Sequence, residues 1–136
     1  MIRNIFSNTK VLDKALDATW LRNEVISNNI ANVDTPGFKK SAVRFEDELK
    51  AAKMQRNIEG NRTRQNHMDV GRASIDRIVP EVFSPSGISM REDGNNVDID
   101  AEMAALANNT VMYNYLVQKI TREFQRIRNV IMEGRR

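Results

Sequence analysis

Apolar side chains recur along two stretches of this chain at the alternating intervals of four and three that line one side of a helix. In the first stretch Leu12, Leu16, Thr19, Asn23, Ile26, Ile30 and Val33 keep that spacing, with two polar interruptions. Val11, Ala15, Ala18 and Val25 widen the stripe, as suits a helix with more than one neighbour. The pattern predicts a helix from Thr9 to Asn32, capped by Ser7, Asn8 or Thr9, with Met1 to Asn8 a frayed terminus. In the second stretch Met103, Leu106, Thr110, Tyr113, Val117, Ile120, Phe124, Ile127 and Ile131 hold the spacing, and only Thr110 is neither apolar nor aromatic. No proline or glycine interrupts this run before Gly134. Asp98 or Asp100 can cap it, and Asp100 and Glu102 place negative charge at the positive end of the helix dipole. A helix from Asp98 to about Glu133 follows.

Between the two, the polar pattern predicts interruptions. Three asparagines close to one another (Asn28, Asn29 and Asn32) weaken a helix because their amides compete for backbone groups. Thr35 precedes a proline and is pushed toward extended geometry, Pro36 presets φ for a turn, and Gly37 supplies the positive φ of a type II turn. The chain therefore stops, turns a corner and restarts at Phe38. Phe38 to Val43 is predicted extended, and Phe45, Leu49 and Ala52 predict a short helix over Arg44 to Arg56. Asn57 to Asn66 has one bulky apolar residue, Ile58, too little to offset its ordering entropy, so 57–76 is expected to be a flexible loop. Arg77 to Val79 and Glu81 to Phe83 favour strand around Pro80. A turn at Ser84 to Gly87 and a return strand at Ile88 to Arg91 complete a predicted small β-hairpin.

The expected fold is thus mainly α: two long terminal helices pairing as an antiparallel coiled coil, with a short middle helix, a flexible loop and a small β-hairpin. Its parts are 1–40 (helix and turn), 41–97 (a variable, partly flexible middle) and 98–136 (the last helix). The expected assembly seam is Leu12, Leu16, Ile26 and Ile30 on the first helix, and Met103, Leu106, Tyr113, Val117, Ile120, Phe124, Ile127 and Ile131 on the last.

Composition adds a need for company. Of the 136 residues 40% are apolar, below the roughly 45–50% of an ordinary globular domain, so a partner is expected to complete the burial. Residues 1–40 carry six basic and four acidic side chains, 41–99 nine and ten, and 100–136 six and four, out of a net charge of +3. None of these is a basic patch of the kind that grips phosphate backbones, and no nucleic-acid partner is expected. The arginines of the final turns are interleaved with Glu123 and Glu133 and lack an aromatic stacking platform. No apolar run is long enough to span a membrane, and the opening Met1 to Phe6 lacks the apolar region of a secretory signal.

Candidate chemistry is sparse. The sequence has no cysteine and a single histidine, His67, which removes disulfides and thiolate metal sites and leaves a metal role for His67 improbable. Gly60, Gly71, Gly87 and Gly94 are isolated and build no phosphate loop, and Glu46, Asp47 and Glu48 fit a solvated helix face. No catalytic, cofactor or metal residues are nominated, and no cofactor and no enzymatic activity are expected. The heptads alone are equally those of a generic helical adaptor or dimerisation module.

One string decides between these. Asn28-Asn29-Ile30-Ala31-Asn32-Val33-Asp34-Thr35-Pro36-Gly37-Phe38-Lys39 resembles the N-terminal signature of the flagellar rod and hook family of bacterial axial proteins. It matches that signature at Asn28, Asn29, Ala31, Asn32, Thr35, Pro36, Gly37, Phe38 and Lys39. The short length and the run Asn96-Val97-Asp98-Ile99-Asp100 before the last helix are most similar to the proximal-rod members. The resemblance implies a structural subunit of the basal-body rod, self- and co-assembling through its terminal helices into a tubular drive shaft. It implies as partners other rod proteins, the rod–MS-ring junction protein FliE and the flagellar export gate. It also implies a place in the rod across the periplasmic space, reached by type III export without a cleaved signal peptide.

Overall fold

The computed structural model describes residues 2–55, 78–85 and 92–134. Five elements follow one another: α1 (Ile2–Ala31), β1 (Ala42–Arg44), α2 (Glu46–Gln55), β2 (Glu81–Phe83) and α3 (Ile99–Glu133). At a rise of ~1.5 Å per residue, α1 is roughly 45 Å long and α3 roughly 50 Å. The two lie side by side and antiparallel. Asn29 near the end of α1 bonds Glu102 near the start of α3, while Thr19, further back, accepts from Asn109, further on.

α1 begins at Ile2 rather than at Thr9, so the expected frayed terminus is the first turns of a helix. The sequence gives the reason: Ile2, Ile5 and Thr9 continue the alternating three-and-four spacing upstream of Leu12. Ser7 and Asn8 inside the helix cost at most ~0.7 kcal/mol each in propensity, too little to break a pattern that continues through them. α3 begins where its cap dictates. Asp98 is extended (φ −107°, ψ 112°), and its carboxylate accepts from the Asp100 and Ala101 amides at 3.0 and 3.3 Å.

A small core packs against α1 through Ala15 and Ala18. Ala18, Phe45, Ala52 and Ile78 are buried together, with Ala15 and Leu49 packed against them. Ala15 and Ala18 are small enough to let Phe45 and α2 settle directly on the α1 backbone. α1 therefore has two neighbours within its own chain, which accounts for its wide apolar stripe. Half-buried Arg22 grips exposed Glu46, the first residue of α2, through two bonds of 2.7 and 2.8 Å, a contribution of about 1 kcal/mol or less at a surface.

Among the described residues the sheet has two strands, β1 and β2, antiparallel, with Ala42 opposite Phe83, Val43 opposite Val82 and Arg44 opposite Glu81. The strand at 81–83 was expected to pair with a return strand at 88–91, but its partner is the segment that follows the Pro-Gly turn. An isolated local hairpin is barely stable in water, whereas pairing with β1 seats the strand beside Phe45 and the core. Arg44 also lies over the Phe83 ring, 4.5 Å from its centroid. The expected loop at 57–76, His67 and the return strand lie outside the described residues.

Phe45 is the largest side chain of the core, and the exposed Trp20 (62% accessible) is no part of it. In urea unfolding followed by circular dichroism, Phe45→Ala is expected to cost about 3 kcal/mol and Trp20→Ala less than about 0.5 kcal/mol. Equal losses would contradict this division.

Candidate assembly site

The Asn28–Lys39 string folds into a clasp. α1 ends at Ala31, and the next residues close two successive turns: Thr35 N–H donates to the Asn32 carbonyl at 3.1 Å, and Phe38 N–H to the Thr35 carbonyl at 3.3 Å. The second is the Thr35-Pro36-Gly37-Phe38 turn, with Gly37 at φ 74°. A Cβ at Gly37 would meet nothing within 4 Å, so glycine is demanded there by the backbone angle and not by space. Asn32 reaches back to the Asn28 carbonyl at 2.9 Å, and Thr35 Oγ1 donates to Asn32 Oδ1 at 3.2 Å.

The carbonyls of these turns lie beyond the last helical residue and converge on one side-chain donor about sixty residues away. Asn95 is fully buried, and its Nδ2 lies 3.0, 2.9 and 2.9 Å from the carbonyls of Asn32, Val33 and Thr35. Its Oδ1 accepts from the Val97 amide at 2.7 Å, so both ends of the side-chain amide are used. Around it the two segments interlock further. Gly37 N–H donates to the Asp93 carbonyl at 2.8 Å, Lys39 Nζ to the Gly94 carbonyl at 2.6 Å, and Lys40 N–H to Asn96 Oδ1 at 2.7 Å. Gly94, at φ 75°, lies against Gly37, whose Cα is 3.7 Å from where a Cβ on Gly94 would stand.

Asn29 ties the clasp to the helix pair. Nearly inaccessible, it pairs with the Ser41 backbone in both directions, Nδ2 to the carbonyl at 2.9 Å and Oδ1 from the amide at 3.0 Å. Nδ2 also donates to Glu102 Oε2 at 3.0 Å. Glu102, buried, has Lys40 Nζ at 4.0 Å from its other oxygen. About two turns further along α3, buried Asn109 donates to the Thr19 carbonyl at 2.8 Å, and its Oδ1 has no hydrogen-bond partner among the described residues.

These contacts fix which side of α3 faces α1. Glu102, Asn109 and Leu116 are buried, and Leu106, Ile120, Glu123 and Ile127 are half-buried. Of the apolar seam drawn from the sequence, Leu106, Tyr113, Ile120 and Ile127 belong to or border this inward stripe. Met103, Phe124 and Ile131 (52, 56 and 65% accessible) lie outside it, with Val117 half-buried between. On α1, Ile26 is buried and Leu12, Leu16 and Ile30 are half-buried. Asn29 of the string is buried and Asn32 and Phe38 are half-buried, while Asn28, Ala31, Thr35, Pro36, Gly37 and Lys39 are exposed. Sequence reasoning missed Asn95 and Asn109. The only available signal for Asn95 was Gly94 beside it, a residue that marks a tight positive-φ approach. No group of residues able to hold a metal occurs among the described residues, and no described helix is long and apolar enough to cross a membrane.

Asn95→Ala removes the amide on which three carbonyls converge, two of which keep their turn donors, and takes the acceptor from the Val97 amide; it is expected to lower stability by about 1–3 kcal/mol in denaturant unfolding. Gly94→Ala, forced to a positive φ, is expected to cost about 1–2 kcal/mol, and the exposed Asn28→Ala under about 1 kcal/mol. A harmless Asn95→Ala would remove the clasp's role.

Comparison with known proteins places this geometry. A family model described as flagella basal body rod protein matches residues 11–39, all of α1 beyond its first nine residues and the string that closes it. The flagellar basal body rod protein FlgB of Bacillus subtilis (strain 168) is 32% identical over 133 residues, covering 97% of this chain and 99% of its own. That of Borreliella burgdorferi is 34% identical over 122 residues, 87% of this chain and 90% of its own. That of Escherichia coli (strain K12) is 27% identical over 142 aligned positions, 98% of this chain and 99% of its own. The likeness extends from the clasp through both helices and the segment between them, and by it the chain belongs to the FlgB family of flagellar basal body rod proteins.

Proposed function

We propose that this chain is a wall element of the proximal rod, joined to copies of itself and to sibling rod proteins through its terminal helices to form a tubular drive shaft. Membership of the family already makes it a structural component of the flagellar basal body, working beside other rod components and not as an enzyme. The finer reading rests on α3. With α1 in place and the clasp closed, Met103, Phe124 and Ile131 remain more than half accessible along one flank at heptad spacing. A row of that kind, on a helix already paired on another side, is a seam for a further helix. Long helices laid side by side make a stiff wall, which suits torque transmission around a central channel. The same reading gives FliE and the export gate as neighbours at the base. It also gives type III export as the route by which the subunit reaches the rod across the periplasmic space.

Because Phe124 and Ile131 are outside the intrachain pair, the assembly and folding roles of α3 separate. Phe124→Asp with Ile131→Asp is expected to abolish swimming in cells dependent on this chain, while the purified variant keeps its helicity by circular dichroism. Normal swimming in the double variant would remove the proposal.

A further inference from the structure

Each long helix carries one more heptad row that neither the core nor the α1–α3 contact uses. On α1 it is Asp13, Asp17, Trp20 and Glu24, spaced four, three and four, all exposed, with Lys10 beyond its N-terminal end. On α3 it is Tyr115, Lys119 and Arg122, spaced four and three, also exposed and on the opposite side of the helix from Met103 and Phe124. Exposed Met112 and Arg126 continue that row at either end. The two rows are opposite in charge. Among the described residues, Asp13, Asp17, Glu24, Lys119 and Arg122 take part in no ion pair, although acceptors and donors are within the same molecule. The aromatics stand out as well: Trp20 is 62% and Tyr115 58% accessible, each set among charges of one sign.

The rows cannot meet inside one molecule. The acidic row lies on the far side of α1 from α3, and within the chain Thr19 stands level with Asn109, not with Lys119 or Arg122. In a second molecule both constraints disappear. We propose that the acidic, Trp20-bearing face of α1 is the docking surface for the Tyr115-Lys119-Arg122 flank of α3 on a second copy of this chain. Opposite charges at matched heptad spacing fix partner and register, as flanking charges do between coiled-coil helices. Trp20 supplies the anchor: indole is the best of the aromatic faces for a guanidinium such as that of Arg122, and a buried tryptophan is a common source of interface energy. The contact joins two different surfaces and is therefore heterologous, so it propagates from copy to copy instead of closing a pair. If neighbours share one polarity, bringing residue 19 level with about residue 121 shifts each copy by roughly 18 Å along the helix axis, a staggered and so helical arrangement.

This inference rests on the rod reading but uses a different flank of α3 from the apolar row, and the two can fail separately. The test is a charge exchange in the full-length chain: Asp17→Lys with Glu24→Lys, Lys119→Glu with Arg122→Glu, and all four together. Self-association of the purified chain is measured by sedimentation at low salt, and swimming in cells that depend on the chain. Each pair alone is expected to weaken self-association about tenfold or more, through like charges brought face to face, and all four together to restore both readouts. Trp20→Ala is expected to weaken association with helicity and thermal midpoint unchanged, which separates docking from folding. The proposal is overturned if the single exchanges associate normally, or if the four-residue exchange is as defective as either pair, which would assign the surface to another protein. Loss of swimming by Phe124→Asp with Ile131→Asp alongside normal behaviour of the charge exchanges would leave the rod reading standing and this surface rejected.

Discussion

The turns that follow α1 gather three carbonyls at one point, and the amide that holds them comes from the segment just before α3. The side-chain amide of Asn95 sits among the carbonyls of Asn32, Val33 and Thr35, while its own oxygen is held by the Val97 amide. A buried polar group without its partner costs about 1–3 kcal/mol, so withdrawing Asn95, which also releases the buried Val97 amide, is penalised. Everything else depends on it geometrically. Asn95 lies three residues before the Asp98 cap, so seating its amide also sets where α3 begins and which way it departs. The Pro-Gly turn then acts as a receptor: it bends the backbone so that several carbonyls converge on one amide.

The second consequence is a division of labour around α3. Its inward stripe is keyed by polar residues, Glu102 to Asn29 and Asn109 to the Thr19 carbonyl. Such contacts contribute little net stability, but sliding α3 along α1 would leave them buried and unsatisfied, so they specify register. The apolar row through Met103, Phe124 and Ile131 has no polar key and is left for neighbours. A thin core of Ala18, Phe45, Ala52 and Ile78 matches this arrangement, since a subunit whose long helices are to be covered by other molecules needs little interior of its own.

Much of this was legible beforehand, and the parts that were not share a cause. Period and breakers located α3, the Asp98 cap and the stop at Pro36-Gly37, because each is dictated by local chemistry. The start of α1 was misplaced because Ser7, Asn8 and Thr9 look like caps, although the spacing of Ile2 and Ile5 already ran through them. The partner of β2 was sought nearby and lies at 42–44, a pairing set by where the turn delivers the chain and by Phe45, which no local pattern expresses. Apolarity drew the α3 seam through Met103, Val117 and Phe124, yet the row turned toward α1 holds Glu102, Asn109 and Leu116. Periodicity reports which residues avoid water; it does not report which neighbour they meet, and a polar row can be inward when the facing helix offers partners. Asn95 was invisible for the same reason, since an asparagine after Gly94 reads as loop until its distant carbonyls are known.

The central claim is that the two ends of one chain are locked together antiparallel in a single register. The natural absence of cysteine allows it to be measured directly, with spin labels at Ser27→Cys and Ala104→Cys, both exposed and both near the Asn29–Glu102 contact. Helices packed ~8–10 Å apart with outward labels predict one narrow distance distribution centred at roughly 25 Å, broadened when Asn95→Ala is added. A broad distribution in the parent chain, or one unchanged by loss of Asn95, would contradict the account.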